Sequence, residues 1–298
     1  MVATTTTTAA STASVRTSTW RRSRWWEFVR TQRLATVALL VIVLFVLASI
    51  FAPLLAPYGA TEQIRTAIRH PPDGQYWFGT DDLGRDIYSR VLYGARTSIL
   101  ISVTTVVISG AIGTAIGVLS GYFGGRWLDS LLQRIMDAII AVPGLVLLLF
   151  LAAVLGPSIR NTIIALIILI VPAFSRVARG EMLRVREEPY VEAARANGCG
   201  TVRILVRHGL PNLFAPLIVV TSLLFAGVLI AESALSFLGI GTPPPTASWG
   251  RMLSEGTRYL EISPWMVVFP GGALTLAVLA FNILGDGLRD FLDPRSRR

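Results

Sequence analysis

Lysine is absent from the 298 residues, and all 27 basic side chains are arginine. A phosphate-cradling loop of the G-x-x-x-x-G-K-[ST] type uses its lysine to reach the β- and γ-phosphates, so this chain does not bind and hydrolyse ATP in that way. Cys199 is the single cysteine, which excludes an internal disulfide and a cysteine-based zinc site. The two histidines, His70 and His208, lie far apart and lack the H-E-x-x-H spacing of a helical zinc site. No G-x-S-x-G nucleophile turn occurs either. Charge is also scarce. Only 15% of residues are charged and 53% are hydrophobic, against about 25% charged in an ordinary soluble domain, and mean hydropathy is +0.61. So few charges cannot cover a soluble particle of this size, so the chain reads as an integral membrane protein. Its net charge of +9 comes from arginines that flank apolar runs instead of forming one patch. This is a topology signal and not a nucleic-acid footprint.

Residues 1–19 are low-complexity Thr, Ala and Ser and predict a disordered tail. Trp20, Arg21, Arg22, Arg24, Trp25, Trp26, Arg30 and Arg33 follow, a mixture suited to a membrane interface. Charge-free intervals then predict six spans. The first lies between Arg33 and Glu62, with its apolar part at 34–55; it exceeds the apolar core of about 7–15 residues of a secretory signal and is read as a retained span. The others are 97–125, 138–159, 161–175, 209–231 and 262–285. All but 161–175 reach the roughly 20 residues a spanning helix needs. That segment, with Pro157 and Pro172 near its ends, predicts a kinked or partly buried helix extended by snorkelling Arg160 and Arg176.

With the N-terminus inside, the inner pieces 1–33, 122–138, 174–212 and 285–298 hold six, two, seven and four arginines. The outer loops 56–96, 156–161 and 232–263 hold five, one and two. The positive-inside rule favours this orientation, with both termini cytoplasmic. The expected organisation is therefore a tail and interfacial segment at 1–33, a first helix at 34–55 and an extracytoplasmic loop at 56–96. A transmembrane core follows at 97–285, and a cytoplasmic tail at 286–298.

The cytoplasmic loop 174–212 is far longer than a helix connection requires. It predicts two short helices separated by a break at Gly198–Gly200, with a stop at Pro211. Within it Glu192, Ala193, Ala194 and Gly198 form E-A-A-x-x-x-G, followed by Ile204 and Leu210-Pro211. The alanines leave a slim face that another protein can approach closely. Glu192 and Arg195 share a helical face, and Gly198 permits a sharp reversal. From these features alone a solvated hairpin is the better description.

On the outer side, Phe78–Asp86 reads F-G-T-D-D-L-G-R-D. Thr80 or Asp81 suits a helix cap, Asp81 and Arg85 are an i,i+4 pair, and Gly79 and Gly84 keep the backbone tight. The stretch Gly239–Gly250 combines glycines, three consecutive prolines and Trp249, as a stiff extended loop near the interface would. Asp137, Glu232 and Asp286 sit at span boundaries where water is near. Asp286–Arg289 and Arg289–Asp293 have pairing distance in sequence. The mid-span regions carry no charge, which speaks against a proton-coupled secondary transporter. Asp137 and Asp286 are a carboxylate pair that an intramembrane enzyme could in principle use, but both lie near the cytoplasmic face, and without H-E-x-x-H or G-x-S-x-G a hydrolase has little support.

The E-A-A-x-x-x-G…I…L-P arrangement resembles the coupling loop of binding-protein-dependent ABC importer permeases. Phe78–Asp86, L-S-F-L-G-I-G at Leu235–Gly241, P-P-T-A-S-W-G at Pro244–Gly250 and G-D-G-L-R-D-F-L-D-P-R at Gly285–Arg295 narrow the resemblance. They are similar to the C-type subunit of the dipeptide/oligopeptide/nickel permeases, over roughly residues 30–295. The resemblance implies an all-α membrane protein with the six-helix type I importer permease fold. It implies a second permease, two ATPase subunits that bind ATP and Mg, and an extracytoplasmic binding protein delivering di- or oligopeptides; nickel chelates or glutathione are the alternatives. Glu192, Ala193, Ala194, Arg195, Gly198, Leu210 and Pro211 would couple to the ATPase. Gly79, Asp81, Asp82, Arg85, Asp86 and Trp249 would gate the outer mouth or meet the binding protein, although a cap and turn explains Phe78–Asp86 equally well and structural rigidity explains Gly239–Gly250 better. No cofactor or metal is expected in this chain. The Gly113/Gly117 pair in the second span predicts close packing against another helix, in the partner permease for example.

Overall fold

The computed structural model describes residues 29–292; the Thr-rich tail, most of the basic aromatic stretch and Asp293 lie outside them. Among the described residues the chain is helical, with one isolated bridge between Thr80 and Asp86 and no strand. Helix α1 is Arg33–Ile50 and the short α2 is Ala52–Leu55. Helix α3, Ile87–Tyr122, has 36 residues, about 54 Å at 1.5 Å per residue. Next come α4 (Trp127–Ala141), α5 (Gly144–Leu155), α6 (Ile159–Val185), α7 (Pro189–Ala196) and α8 (Thr201–Ile204). A π-helical turn at Leu205–Gly209 leads into α9, Leu210–Phe237, and α10 (Trp249–Thr257) and α11 (Trp265–Leu292) complete the order.

Five helical stretches are long and apolar enough to cross a membrane, and α4 with α5 makes a sixth if the pair is one bent span. The bend is 90°, so the single helix expected over 138–159 is instead a broken one. Pro143 explains it. A proline disfavours helical dihedrals in the residue before it, and Val142 is extended at φ −87, ψ 129. Three other boundaries differ from expectation for one shared reason. The short span at 161–175 is the middle of the 27-residue α6, which continues through Arg176 and Arg179. The second span starts at Ile87, ten residues inside the expected loop, and the sixth runs past Asp286 to Leu292. A charge ends an apolar run in the sequence, but a helix carries it whenever a partner or water is within reach. Pro211 likewise is no stop. It occupies the first turn of α9, where its missing N–H is no loss, and the wider π turn before it lets the Leu210 N–H bond the Leu205 carbonyl five residues back.

The α3–α6 pair is the centre of the bundle. Gly113, Gly117 and Gly121, one turn apart, face α6 at backbone distance. A methyl at Gly113 would stand 2.6 Å from the Val171 carbonyl oxygen, one at Gly121 would stand 2.7 Å from that of Arg179, and one at Gly117 would strike the Ser175 carbonyl. The small-residue stripe therefore packs within this chain, not against a partner. Around this pair Ile99, Ile101, Leu148, Leu166, Phe174 and Leu229 fill one continuous core. Helix α1 closes on α11 through Ala35, Ala38 and Ile42. Leu40 on α1 and Phe150 on α5, each 62% exposed, are large apolar side chains that hydrocarbon tolerates and water does not.

Gly117→Ala is expected to lower stability by about 1–3 kcal/mol, the usual cost of overpacking. Gly227→Ala, where a methyl meets nothing within 4 Å, should leave stability unchanged or raise it slightly, because alanine is the better helix former. Thermal unfolding midpoints in detergent check both.

Candidate functional site

The first candidate site is the hairpin between α6 and α9. Pro189 presets the first turn of α7, and the helix ends where the Asn197 N–H bonds the Ala193 carbonyl. Gly198 follows in the left-handed region at φ +76, its N–H bonded to the Arg195 carbonyl at 2.9 Å and that of Cys199 to Ala194 at 3.0 Å. Nothing lies within 4 Å of a methyl at Gly198, so the requirement there is conformational, not steric. One residue anchors α7: Val191, fully buried in a cluster with Val118, Ala178, Met182, Val185, Ile204 and Leu213. The other side stays open. Glu192, Ala193, Arg195 and Gly198 are exposed and Ala194 is half-buried. Arg195 does not pair with Glu192; its guanidinium lies over the Tyr122 ring, 5.2 Å from the centroid. Leu210 packs under the hairpin against the same cluster, whereas Pro211 is exposed beside it. The His208 ring stands 5.9 Å from that of Tyr190.

What the sequence reading missed is the clamp that makes this end stiff. Asp129 on α4 accepts both Arg179 Nε and Nη2, at 2.8 and 2.9 Å, together with Ser120 Oγ at 2.5 Å and the Gly125 N–H at 3.1 Å. These bonds join α3, α4 and α6. Arg186, just past α6, donates to the Gly121 and Gly124 carbonyls at 3.4 and 3.1 Å. Fifty residues separate Asp129 from Arg179, and no local spacing announces the pair. Val191 of α7 packs against Val118 of α3 and Ala178, Met182 and Val185 of α6 at this same end.

The second candidate site lies at the opposite end of the bundle. Asp81 accepts the N–H groups of Leu83 and Arg85, each at 2.9 Å, and Arg85 Nε at 2.6 Å. Arg85 and Arg90 converge on one Glu255 oxygen at 2.8 and 2.9 Å, and Arg251 reaches its other oxygen at 3.0 Å. Asp86, not Thr80 or Asp81, caps α3 by accepting the Ser89 N–H at 2.8 Å. Thr80 instead accepts the His70 N–H at 2.8 Å and donates to the Ala67 carbonyl. Gly79 packs against the Trp265 ring. Trp249 sits in no extended interfacial loop: it opens α10, fully buried, with its indole N–H on the Val91 carbonyl at 3.1 Å and Phe45 edge-on. Burial pushes the Asp86 carboxyl up, and it pushes that of Asp82 up as well, with help from Asp81 and Glu255. Asp82 and Arg85 line a cleft of about 430 Å3 with Arg251, Glu255 and Arg258. Glu232 is not at a wet boundary; it is fully buried and accepts the hydroxyls of Ser98 and Ser236 at 3.0 and 2.8 Å. Asp286 and Arg289 form no ion pair with each other among the described residues.

Two family descriptions match this chain. "Binding-protein-dependent transport system inner membrane component" covers residues 113–298, and "N-terminal TM domain of oligopeptide transport permease C" covers 18–72. The chain belongs to the binding-protein-dependent transport system inner membrane components. The longer match includes the whole α7 hairpin and the shorter one α1. Among relatives of this inner membrane component, a dipeptide transport system permease protein of Alkalihalophilus pseudofirmus is 41% identical over 280 residues, covering 94% of this chain and 91% of that protein. The Escherichia coli glutathione transport system permease protein is 44% identical over 278 residues, 92% of this chain and 91% of that one. A putative peptide transport system permease protein of Brucella suis is 44% identical over 260 residues, 87% of each. The fold is similar to that of the inward-facing methionine ABC transporter MetNI, at TM-score 0.57 and 16% identity, covering 70% of this chain and 98% of that one. An inner membrane component of this family is a multi-pass membrane protein and the permease part of an ABC importer.

Glu255→Ala in this family member leaves Arg251 without its carboxylate and Arg85 and Arg90 sharing Asp81 at the α10 end. Because removing one member of a buried ion pair costs about 3–5 kcal/mol, the unfolding midpoint is expected to fall sharply, whereas Glu187→Ala, with a 74% exposed side chain, should shift it by no more than about 0.5 kcal/mol.

Proposed function

We propose that this chain is one of two unlike permease subunits of an ATP-driven importer of di- and oligopeptides. Both termini and α7 lie on the cytoplasmic side, and α7 is the helix that seats in a groove of an ATPase subunit. The observation that carries this reading is the construction of α7: Val191 fixes it from within while Glu192, Ala193 and Gly198 remain open to a partner. The shared nucleotide chemistry belongs to the ATPase subunits. Closure of the ATPase pair pushes α7, and the Asp129–Arg179 and Arg186 bonds carry that push into α6 and α3, turning the permease between openings to either side. A binding protein delivers substrate at the α10 end. The relatives named for dipeptides and peptides support the substrate class. The relative named for glutathione supports a second reading within the same chemistry, since glutathione is itself a peptide.

Glu192→Lys and Gly198→Pro test the coupling role. Proline fixes φ near −65°, incompatible with φ +76 at position 198. Both variants are expected to insert and assemble, to lose peptide uptake at least about tenfold, and to leave ATP hydrolysis unresponsive to loaded binding protein. Normal uptake by both would contradict the assignment. Uptake of labelled dipeptide against labelled glutathione in proteoliposomes, with the cognate binding protein, separates the two substrate readings.

A further inference from the structure

One ion pair stands apart from the others in the bundle. Arg176 Nη2 donates to Asp137 Oδ1 at 2.8 Å, yet the two side chains are 51% and 62% exposed. The uncharged run 161–175 of α6 centres on Ile168, and Arg176 lies eight residues beyond it, about 12 Å along the axis. Half of a hydrocarbon core is about 15 Å, so the pair stands just inside the inner edge of the apolar layer. Charged groups there do not face lipid; they turn to the bundle interior or to a water-filled cavity.

The contrast with Asp129 sharpens the point. Asp129 is buried and its carboxylate takes bonds from Arg179, Ser120 and Gly125. Asp137 accepts from Arg176 alone among the described residues. A carboxylate offers about four acceptor positions and a guanidinium five donors, so both groups keep most of their capacity open. Small residues lie within one helical turn of the pair alongside larger ones such as Ile140: Ala138 and Ala141 on α4 are exposed, Ala173 on α6 is half-buried, and a methyl at the exposed Gly180 would meet nothing within 4 Å. The pair also sits just before the 90° bend at Val142–Pro143.

We propose that Asp137 and Arg176 line the aqueous translocation pathway, and that the pair opens to receive a zwitterionic substrate, its ammonium on Asp137 and its carboxylate on Arg176. This rests on the importer reading and adds the contact site. The pair is neutral overall, so an incoming zwitterion exchanges one ion pair for two and leaves the net charge of the pathway unchanged. A substrate with a single charge would leave one member of the pair uncompensated.

The test uses the assembled importer in proteoliposomes, in a Cys199→Ser background so that no other thiol of this chain reacts, with labelling read on this subunit alone. Asp137→Cys and Arg176→Cys are expected to react with a charged methanethiosulfonate at least about tenfold faster than Leu40→Cys on the exposed apolar face of α1. Reaction at the Leu40→Cys rate overturns the pathway assignment, even if wild-type uptake is intact. Separately, Asp137→Asn should lower dipeptide uptake at least about tenfold while stimulated ATP hydrolysis persists. Unchanged uptake in Asp137→Asn overturns the substrate contact. Fast labelling in an importer whose wild-type form carries no dipeptide overturns the peptide reading and leaves the water-lined placement standing.

Discussion

The rest of the molecule depends on the contact between α3 and α6, in which Gly113, Gly117 and Gly121 lie against the opposing main chain. In a membrane no hydrophobic force draws two helices together, because lipid tails are as apolar as leucine. Association rests on van der Waals packing at short range and on polar bonds between helices. A stripe without side chains supplies the first. It also aligns two helices of 36 and 27 residues so that each end of the pair is a fixed platform. At one end the pair carries α7; at the other it carries the Asp81–Arg85–Arg90–Glu255 network.

Polar bonds supply the second, and they are unevenly distributed. At the α7 end, Asp129–Arg179 and Arg186 bind α4 and the α6 terminus to α3. At the other end, four charged residues and the buried indole of Trp249 join loop, α3 and α10. These are the places where a membrane helix meets water and where an unpaired main-chain or side-chain group can find a partner at low cost. The residues that resemblance marked for gating, Asp81, Arg85, Asp86 and Trp249, are thus spent on internal bonds. Asp82 and Arg85 are the ones that also border an open cleft.

The membrane class, the helical architecture and the exposed E-A-A hairpin were legible in the residues, because each has a local signature: low charge, long apolar runs, and alanines followed by a glycine. Helix ends were not. Arg176 ends an apolar run in the sequence, and Arg90 and Arg179 lie beyond the ends of such runs, yet each sits inside a helix, met by a carboxylate 39 to 165 residues away. Such pairing has no local trace. The same limit hid Asp129, which stands in a stretch that reads as an ordinary inner loop until Arg179 is placed beside it. Proline was ambiguous in a different way. Pro143 breaks a helix, Pro172 lies inside one, and Pro211 opens one. Whether a missing N–H matters depends on the turn it falls in.

The bend at Val142–Pro143 gains meaning from the two ion pairs that flank α4. Asp129, at the start of α4, is locked to α3 and α6, while Asp137, two turns later, holds α6 by a single exposed bond. A helix fixed firmly at one end and lightly near a break is able to swing its light end without unfolding its fixed one. Hinge motion concentrates at a few element-terminal residues, and Val142 with Pro143 supplies them. Under the proposed coupling role, a push at α7 meets α6 beside Arg179 and the locked end of α4, which leaves the lightly held end as the one free to move.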